Sequence, residues 1–405
     1  MKDVKIVIGA NYGDEGKGLM TRHFAKESLK EGKDTIVVLH NGTAQRGHTV
    51  DYNPDFRHVY HHFGSGTIDG AATYFSKTFW IHPMTFSKEI EELKEKRIIP
   101  YNTGDTGALL KKELLTFYDP NALVVTPFDM LVDHATEAYI QCEHDEREYG
   151  SCGLGTWCAT ERFPYGLFTI EEWIDAWRDR HRNDIYKMML NESYQSCFNI
   201  LIKRKIDLDK ILEYKKIWDK REGHYQYIEI NFAQDLSVFY HYAKPISFSW
   251  IYDNFNTLIF ENGQGLGLDQ NVDNEWHTTS NTGIINPYEL LKDKEGFKAE
   301  VCYVSRSYLT RHGEGPLEQE TTKKEINSKM VDKTNIPNEF QGTSRYGGLD
   351  LKEQNLRINK DFDIIKNDLR FNMSKTITHC NEFEPGFCGD DFNYMSYNPY
   401  SVLKK

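Results

Sequence analysis

Residues 4–18 read VKIVIGANYGDEGKG and join a strand-like run, a glycine-rich turn and the start of a helical pattern. The β-branched run at 4–8 predicts a buried strand, and residues 19–30 carry apolar side chains at helical spacing. A helix that follows such a turn presents unpaired N–H groups, which bind phosphate. The stretch therefore predicts an α/β fold with a largely parallel central sheet, flanking helices and a P-loop-like glycine-rich phosphate loop.

The turn departs from the two common nucleotide-binding motifs. It lacks the glycine five residues before Gly16-Lys17 and the Ser or Thr after this pair that a P-loop requires, and it is not GxGxxG. It carries Asp14 and Glu15 instead. A carboxylate beside phosphates is unfavourable unless it binds a metal ion or moves a proton. Taken alone, the turn is also compatible with an acidic surface turn.

A second stretch follows the same plan. Residues 34–39, DTIVVL, predict another buried strand, which leads into residues 40–49, HNGTAQRGHT. Because the carboxyl ends of parallel strands meet at one edge of a sheet, we expect Asp14 and His48 to face one ligand.

Together, GDEGKG and NGTAQRGHT resemble the WGDEGKG and GGxNAGHT motifs of the adenylosuccinate synthetase family. Further motifs follow in the family's order over about residues 4–381. They are GSCGLGT (150–156) for the family's GTTGRGIGP, FENGQG (260–265) for FEGAQG, HTTSNT (277–282) for VTSSNTT, SYLTRHGEGP (307–316) for YSTRVGAGP, NEF (338–340) for NEFG, and GGLD (347–350) for TGWLD. The ordered set carries the resemblance, since each motif alone is weak.

The resemblance implies a ligase that joins L-aspartate to C6 of a 6-oxopurine nucleotide, with IMP as the leading acceptor. The γ-phosphoryl group of a nucleoside triphosphate is first transferred to the 6-oxygen, and the aspartate amine then displaces phosphate to give a succinylaminopurine nucleotide. Phosphoryl transfer needs charge neutralisation, so Mg²⁺ is the expected cofactor.

The resemblance also implies roles for individual residues. Asp14 is the base that removes the N1 proton and is a Mg²⁺ ligand, together with the Gly47 carbonyl. His48 is the acid or hydrogen-bond donor on the phosphate bridge, and Lys17 stabilises the transferring group. The implied nucleotide- and phosphate-binding residues are Gly13, Glu15, Gly16, Gly18, Asn41, Gly47, Thr49, Ser151, Gln264, Thr278 and Asn381.

One departure concerns the phosphoryl donor. The family reads guanine with the Asp of a KLD element, whereas residues 378–381 read THCN here. The amide of Asn381 cannot accept twice from guanine, but it can bond the edge of adenine. The chain also ends at Lys405, without the family's second guanine-contacting loop. We therefore expect ATP or dATP as donor and consider GTP the less favoured alternative.

Two further departures from the family motifs concern the amino acid and the acceptor base. The family's amino-acid loop has several arginines, but residues 342–346, GTSRY, have one. Thr343 and Arg345 are the expected amino-acid ligands, with Arg345 able to bind one carboxylate bidentately. Aspartate is favoured, and another amino acid stays open. Gln45-Arg46 replaces the family's Asn-Ala and changes the face toward the acceptor base.

These departures are similar to the short bacteriophage branch of the family, which uses dGMP and an adenine nucleotide to make a precursor of 2-aminoadenine DNA. That branch replaces the catalytic Asp by a smaller residue, whereas Asp14 is retained here. IMP therefore leads and dGMP is the alternative. A non-catalytic nucleotide-binding protein and a P-loop kinase are further alternatives. The presence of Asp14, Lys17 and His48 together disfavours a non-catalytic protein. Gly18 stands where a P-loop kinase needs Ser or Thr, which disfavours that alternative.

Composition limits the class of protein. The 405 residues carry a net charge of −12, so we expect no nucleic-acid partner. Without a signal sequence or a long apolar run, no membrane association is expected. Seven cysteines without a CxxC pair suggest reduced thiols and a cytoplasmic location, including the cytoplasm of an infected bacterium.

The domain organisation follows from the lack of linkers and repeats. We expect one domain over residues 1–405, with a helical insert at about 163–243 that contributes to a homodimer by resemblance. Arg162 lies near the family's phosphate-binding Arg from the partner subunit, with a poor local match. The other expected elements are helices at 86–96, 170–188 (capped by Thr169 and Glu172) and 207–216, and strands at 123–125, 258–260, 300–304 and 376–378, the last being the final strand.

Overall fold

A computed structural model of the protein describes residues 1–100, 115–143, 151–179, 183–218, 223–271, 281–313, 315–328, 330, 342–382 and 391–405. The strands in these ranges are β1 (Lys2–Gly9), β2 (Thr35–Leu39), β3 (His48–Asn53), β4 (Phe56–Tyr60), β5 (Ala72–Phe75), β6 (Thr116–Tyr118), β7 (Ala243–Pro245), β8 (Thr257–Gly265), β9 (Phe297–Arg306), β10 (Leu309–Arg311), β11 (Glu320–Thr321), β12 (Arg345–Gly347), β13 (Phe371–Thr378), β14 (Tyr394–Asn398) and β15 (Ser401–Lys404).

The α-helices in the same ranges are α1 (Lys17–Lys30), α2 (Pro83–Glu95), α3 (Pro127–Glu143), α4 (Thr156–Arg162), α5 (Ile170–Arg178), α6 (Asn183–Lys203), α7 (Leu212–Trp218), α8 (His224–Tyr242), α9 (Phe248–Asn254), α10 (Ile285–Leu291), α11 (Lys323–Ile326) and α12 (Leu351–Phe362). Among the described segments, no helix combines the length and apolar character that crossing a membrane requires.

A ten-stranded sheet forms the centre, in the order β15-β14-β13-β9-β1-β8-β2-β5-β6-β7. Its neighbouring strands are parallel except for the β14–β15 pair, which is antiparallel. The smaller units are the β10-β12-β11 sheet and the β3-β4 hairpin. The largely parallel α/β fold expected from the sequence is therefore confirmed.

The central strands are buried on both faces, as parallel sheets require. In β1, Val7 packs into one apolar cluster, whereas Val4, Ile6 and Ile8 pack into a second cluster on the opposite face. Strand β2 alternates in the same way. This arrangement explains why the two strands read as unbroken apolar runs rather than as alternating ones.

Three expected elements differ from those observed. The expected helix at 170–188 is divided between α5 and α6, because the backbone is extended at Asp179; Thr169 and Glu172 do form the expected capping box. Residues 123–125 make only isolated bridges, to Ile81 and Thr169, rather than a strand. Strands β14 and β15 follow β13, so residues 376–378 are not the final strand.

Two other expectations hold in outline. Region 163–243 is helical where it is described, with α5 to α8 as its main elements. The expected helix at 207–216 is a 3₁₀ turn, Leu208–Lys210, followed by α7.

Candidate active site

The candidate site lies where parallel strands β1, β2, β8, β9 and β13 end. Because these strands run in one direction, the loops that follow them converge at the same edge of the sheet, where α/β proteins bind ligands. The segments that the sequence analysis singled out at 9–16, 40–47, 260–265 and 378–381 are therefore neighbours in space.

The loop from 9 to 16 is held by three consecutive carbonyl oxygens. Those of residues 13, 14 and 15 accept hydrogen bonds from Thr310 Oγ1 at 3.4 Å, from Arg306 Nε, and from Thr378 Oγ1 at 2.9 Å, respectively. Each anchor comes from a different place near the end of β9, β10 or β13. The loop is therefore fixed by the assembled sheet rather than by its own sequence alone.

The N–H groups of this loop are left for a ligand. Gly13, Asp14 and Gly16 have φ angles of 97°, 53° and 90°, in the left-handed region. Successive residues of this kind turn their N–H groups into a concave anion site. No acceptor for the N–H groups of residues 13–16 is present in the described part of the chain. Gly16 also begins α1 without a side-chain cap, so an anion can take the capping position.

Glu15 lies behind the loop. Its carboxylate accepts from the Asn11 backbone N–H and from Lys17 Nζ, the latter at 3.3 Å. A Cβ at Gly9 would lie 2.0 Å from Glu15 Oε2, so only glycine leaves room for this side chain. Burial raises the pKa of the Glu15 carboxyl. The structure thus gives Glu15 a supporting position beneath Lys17.

Gly18 brings the two glycine-rich motifs together. A Cβ at Gly18 would lie 2.9 Å from the Thr49 carbonyl oxygen, 3.2 Å from His48 Cβ and 3.2 Å from Ser65 Oγ. The first turn of α1 therefore packs directly against the start of β3, and Lys17 and His48 lie at one site.

We expect Gly18→Ala to lower turnover at least about 10-fold, because the added methyl group displaces His48 relative to the phosphate loop. Gly32→Ala is the matched control. Gly32 has a φ of 73° but no atom within 4 Å of an added Cβ, so the change strains the backbone far from the site. Thermal unfolding and steady-state turnover of both variants test this. Equal loss of activity in the two would contradict the close-packing argument.

His48 is oriented by a buried ion network that the sequence analysis missed. Its Nδ1 donates to Glu261 Oε1 at 2.8 Å, and Arg46 Nη2 donates to Glu261 Oε2 at 3.0 Å. Ser65 adds its backbone N–H and its hydroxyl. Burial works against ionisation of Glu261, but Arg46 and these hydrogen bonds hold its pKa well below the usual range.

His48 is therefore neutral in the free protein, because burial lowers its pKa to about 4. Because Nδ1 carries the proton and donates it in a hydrogen bond to Glu261, Nε2 carries the lone pair. Nε2 has no partner among the described residues. A buried atom of this kind is a candidate for contact with a substrate.

Two other predicted ligands face the loops. Asn41 accepts from the Gly263 N–H at 2.9 Å through Oδ1, and its buried Nδ2 has no partner in the described segments. Gln264 Oε1 would lie 3.5 Å from a Cβ on Gly13, so its side chain lies beside the phosphate loop. Thr278, the remaining candidate of this group, lies outside the described residues.

Ser151 is hydrogen-bonded to helix α3. Its N–H donates to Glu137 at 2.8 Å, and its Oγ accepts from the Gly153 N–H at 3.2 Å. Arg162 is 2 % exposed and makes two hydrogen bonds to Asp129, of 2.9 and 2.8 Å. The weak resemblance of Arg162 to the family's phosphate ligand from the partner subunit gains no support, since this pair keeps the side chain inside its own subunit.

Asp14 contacts the amino-acid loop through His312, which the sequence analysis also missed. His312 Nε2 lies 3.0 Å from Asp14 Oδ2 and 2.7 Å from Ser344 Oγ. Burial opposes ionisation of Asp14, but His312 and the charge of Arg306 lower its pKa below the usual value. The available signal was His312 itself, which stands where the family motif has Val.

The predicted amino-acid ligands lie next to this contact. Thr343 is exposed. Arg345 donates to Glu320 at 3.0 Å and to the Gly315 carbonyl at 2.6 Å. The buried Arg345 Nε has no partner among the described residues, so it is an unused donor beside the predicted amino-acid site. Asn381 lies exposed in the 3₁₀ turn Cys380–Glu382, after the strand whose Thr378 contacts Glu15.

The oxygens near the phosphate loop suit a hard divalent cation. Asp14 is one-third exposed, and its Oδ1 makes no hydrogen bond to a described residue. A carboxylate with a free oxygen beside an anion site fits Mg²⁺, which binds through one or two protein oxygens and the substrate phosphates.

Comparisons with known proteins point to one family. A family model described as adenylosuccinate synthetase matches residues 6–360. The adenylosuccinate synthetase of Thermotoga maritima is 25% identical over 335 residues, covering 79% of this chain and 68% of that protein. That of Clostridium botulinum strain Alaska E43 is 25% identical over 326 residues, covering 78% of this chain and 65% of that protein. The chain thus spans about two-thirds of the length of these relatives.

Two solved structures are similar in fold. The fully ligated adenylosuccinate synthetase of Plasmodium falciparum has a TM-score of 0.61 and 18% identity, covering 95% of this chain and 78% of that chain. The succinoaminodeoxyadenylate synthetase (PurZ) of cyanophage S-2L was solved bound to dGMP and to dATP as an energy donor. It has a TM-score of 0.61 and 12% identity, covering 100% of this chain and 95% of that chain. At these identities the likeness concerns the fold alone.

Proposed function

Since the chain belongs to the adenylosuccinate synthetase family, whose members are ligases, we propose that it joins L-aspartate to C6 of a 6-oxopurine nucleotide. IMP is the leading acceptor, and ATP or dATP is the phosphoryl donor. The product is a succinylaminopurine nucleotide, released with a nucleoside diphosphate and phosphate.

One observation carries the proposal: Asp14, Lys17 and His48 lie together at a loop whose N–H groups are free for an anion. A binding protein needs only the N–H groups and a cation. The unpartnered Nε2 of His48 and the one-third exposed carboxylate of Asp14 supply, in addition, two groups that can exchange protons with a bound substrate. These are the groups that activation of a 6-oxopurine requires.

The chain's residues divide the reaction as follows. The N–H groups of 13–16 and Lys17 bind and orient the phosphates in line with the acceptor 6-oxygen. Asp14 takes the N1 proton, so that electron density moves to the 6-oxygen as this attacks the γ-phosphorus and the diphosphate leaves. The aspartate amine then forms the C6–N bond, loses a proton, and expels phosphate.

His48 neutralises charge during the transfer. The Nδ1–H of His48 is committed to Glu261, so Nε2 is the atom that faces the phosphate bridge. Bound phosphates favour protonation at Nε2, which makes it a hydrogen-bond donor there. Asp14 and the Gly47 carbonyl are the residues that would hold Mg²⁺, which supplies charge neutralisation on the phosphates when bound.

We expect the protein to use ATP in preference to GTP and Asn381→Asp to reverse this preference. An Asp accepts twice from guanine, whereas the Asn381 amide suits adenine. One bidentate pair discriminates between bases by about 10- to 100-fold. Steady-state kcat/KM for ATP, dATP and GTP in both proteins measures the change. Asn359→Asp, on the surface of α12, is the control and should leave the ratio unchanged.

The acceptor is tested by offering IMP or dGMP, each with ATP or GTP, Mg²⁺ and L-aspartate, while phosphate and succinylated product are followed. Turnover with IMP supports the proposal. Turnover only with dGMP would contradict the proposal and support the alternative, an enzyme that acts on dGMP. Nucleotide binding without product in every combination would mean that the chain is a non-catalytic nucleotide-binding protein.

We further propose a cytoplasmic homodimer. Large apolar side chains remain exposed on the helical region: Phe163, Tyr165, Ile185, Met188, Tyr227 and Ile230. Six of the cysteines are described, and all six are free thiols, which suits a reducing compartment.

A further inference from the structure

We propose that His312 is a positioning residue that ties the carboxylate of Asp14 to the amino-acid loop, defined as residues 342–346. Through this tie, occupancy of the amino-acid site sets the orientation of the base that acts on the purine. The inference rests on the proposed function and deepens it, since it assigns a role to a residue outside the three catalytic ones.

The contact geometry defines the tie. Nε2 of His312 lies within hydrogen-bond distance of both Asp14 Oδ2, at 3.0 Å, and Ser344 Oγ, at 2.7 Å. A carboxylate can only accept a hydrogen bond, so Nε2 must carry a proton. That proton lies between Asp14 on one side and Ser344 on the other. Movement of Ser344 therefore changes the bond that Asp14 receives.

The backbone of Asp14 has no freedom to orient its own carboxylate. Its carbonyl accepts a hydrogen bond from Arg306. Its φ of 53° is in the left-handed region, as are those of Gly13 and Gly16 in the same turn. Only the side-chain torsions remain. Among the described residues, His312 is the group that hydrogen-bonds the carboxylate, at Oδ2, and Oδ1 has no such bond. Losing His312 therefore frees rotation of the two oxygens.

The other end of the tie is a buried residue of the amino-acid loop. Ser344 is 6 % exposed and immediately precedes β12, and His312 immediately follows β10. In the β10–β12 ladder Arg311 pairs with Arg345, so His312 and Ser344 leave the ladder at the same end. A ligand carboxylate on Arg345 thus acts on the residue adjacent to Ser344.

The sequence supports a role specific to this chain. Where the resembled motif YSTRVGAGP has Val, the present chain has His312 in YLTRHGEGP. Valine cannot hydrogen-bond a carboxylate. The same chain has a single arginine in its amino-acid loop, so a second polar connection from that loop to the purine site compensates for a weaker clamp.

The test compares His312→Val, His312→Gln and Ser344→Ala with the wild type. His312→Val should lower kcat by about 10- to 100-fold, because the base is no longer held in the productive orientation. It should also raise KM for aspartate and leave KM for the triphosphate within about twofold. His312→Gln, which keeps an N–H donor, should recover most of kcat, a rescue that a purely structural role does not give.

A double-mutant cycle tests whether His312 and Ser344 act through the same connection. Ser344→Ala should raise KM for aspartate, and the double variant His312→Val/Ser344→Ala should be no slower than His312→Val alone, because both changes break one connection. His224→Val, at the exposed start of α8, is the control for the loss of a histidine and should leave kcat unchanged. Additive losses in the double variant, or wild-type kcat in His312→Val, would overturn the inference.

A measurement that needs no turnover separates this inference from the proposed function. In protein labelled with ¹⁵N-histidine, the Nε2–H signal that disappears in His312→Val should shift in Asp14→Asn and in Ser344→Ala. Unchanged signals in both would overturn the tie even in an active enzyme. Shifted signals in a protein that forms no product would retain the tie while the proposed reaction fails.

Discussion

Asp14→Asn is expected to lower kcat by about 10²- to 10⁴-fold, the usual contribution of a positioned general base. An amide cannot take the N1 proton, and it is a weaker ligand for Mg²⁺ than a carboxylate. The fold should survive, because Asn tolerates the φ of 53° at this position and its carbonyl oxygen can still accept from His312. Steady-state product formation with the preferred acceptor measures the loss.

The control for this variant is Asp253→Asn, which makes the same chemical change at the exposed opposite end of the sheet, near Lys2. It should keep wild-type kcat. Binding of the triphosphate in the absence of aspartate, followed by calorimetry, should change little in Asp14→Asn, since the N–H groups of residues 13–16 and Lys17 remain. Wild-type turnover in Asp14→Asn would remove Asp14 from the chemistry.

Glu261→Ala should produce the largest loss of stability, about 3–5 kcal/mol in the free energy of unfolding. The substitution leaves the Arg46 guanidinium buried without its counter-ion, and an unpaired buried charge costs this much. Arg46 Nε and Nη1 already lack partners in the described part of the chain, and without Glu261 the guanidinium would keep only the bond from Nη2 to the Phe63 carbonyl oxygen. Denaturant unfolding followed by circular dichroism measures the change.

The matched control is Glu27→Ala. Glu27 pairs with Lys30 at 2.7 Å on the surface of α1, with both side chains more than half exposed. Exposed pairs contribute less than about 1 kcal/mol. Arg46→Ala should also lower the free energy of unfolding by less than Glu261→Ala does, because His48 and Ser65 continue to bond the Glu261 carboxylate. A similar loss of stability in Glu261→Ala and Glu27→Ala would contradict the assigned ion network.

The sequence predicted those parts of the site that depend on local geometry. The turn at 9–16 needs glycine where φ is positive and at close approaches, so its motif is visible in the sequence. The convergence of the loops followed from the direction of parallel strands, and Asp14 and His48 were placed at one edge for that reason.

The sequence did not predict contacts that depend on distant pairing. Arg46 was expected to change the face toward the acceptor base, but it is 1 % exposed and bonds Glu261, a residue 215 positions away. Neither side chain carries a local pattern that identifies the other. His312 was within a recognised motif, yet its contact with Asp14 exists only because the β10–β12 ladder packs beside the N-terminal loop. Periodicity likewise gave no sign of the break after α5, since the polar residues that follow fit a helix surface.

The three anchors of the phosphate loop have a consequence for biosynthesis. The loop is translated about 290 to 360 residues before the side chains that hold its carbonyls, at positions 306, 310 and 378. Closing such long loops of chain is entropically unfavourable until the intervening strands have assembled. A growing chain therefore carries both glycine-rich motifs long before the phosphate loop can be held in place. We therefore expect nucleotide binding to require β13, so that a fragment ending before Phe371 should bind no triphosphate in calorimetry.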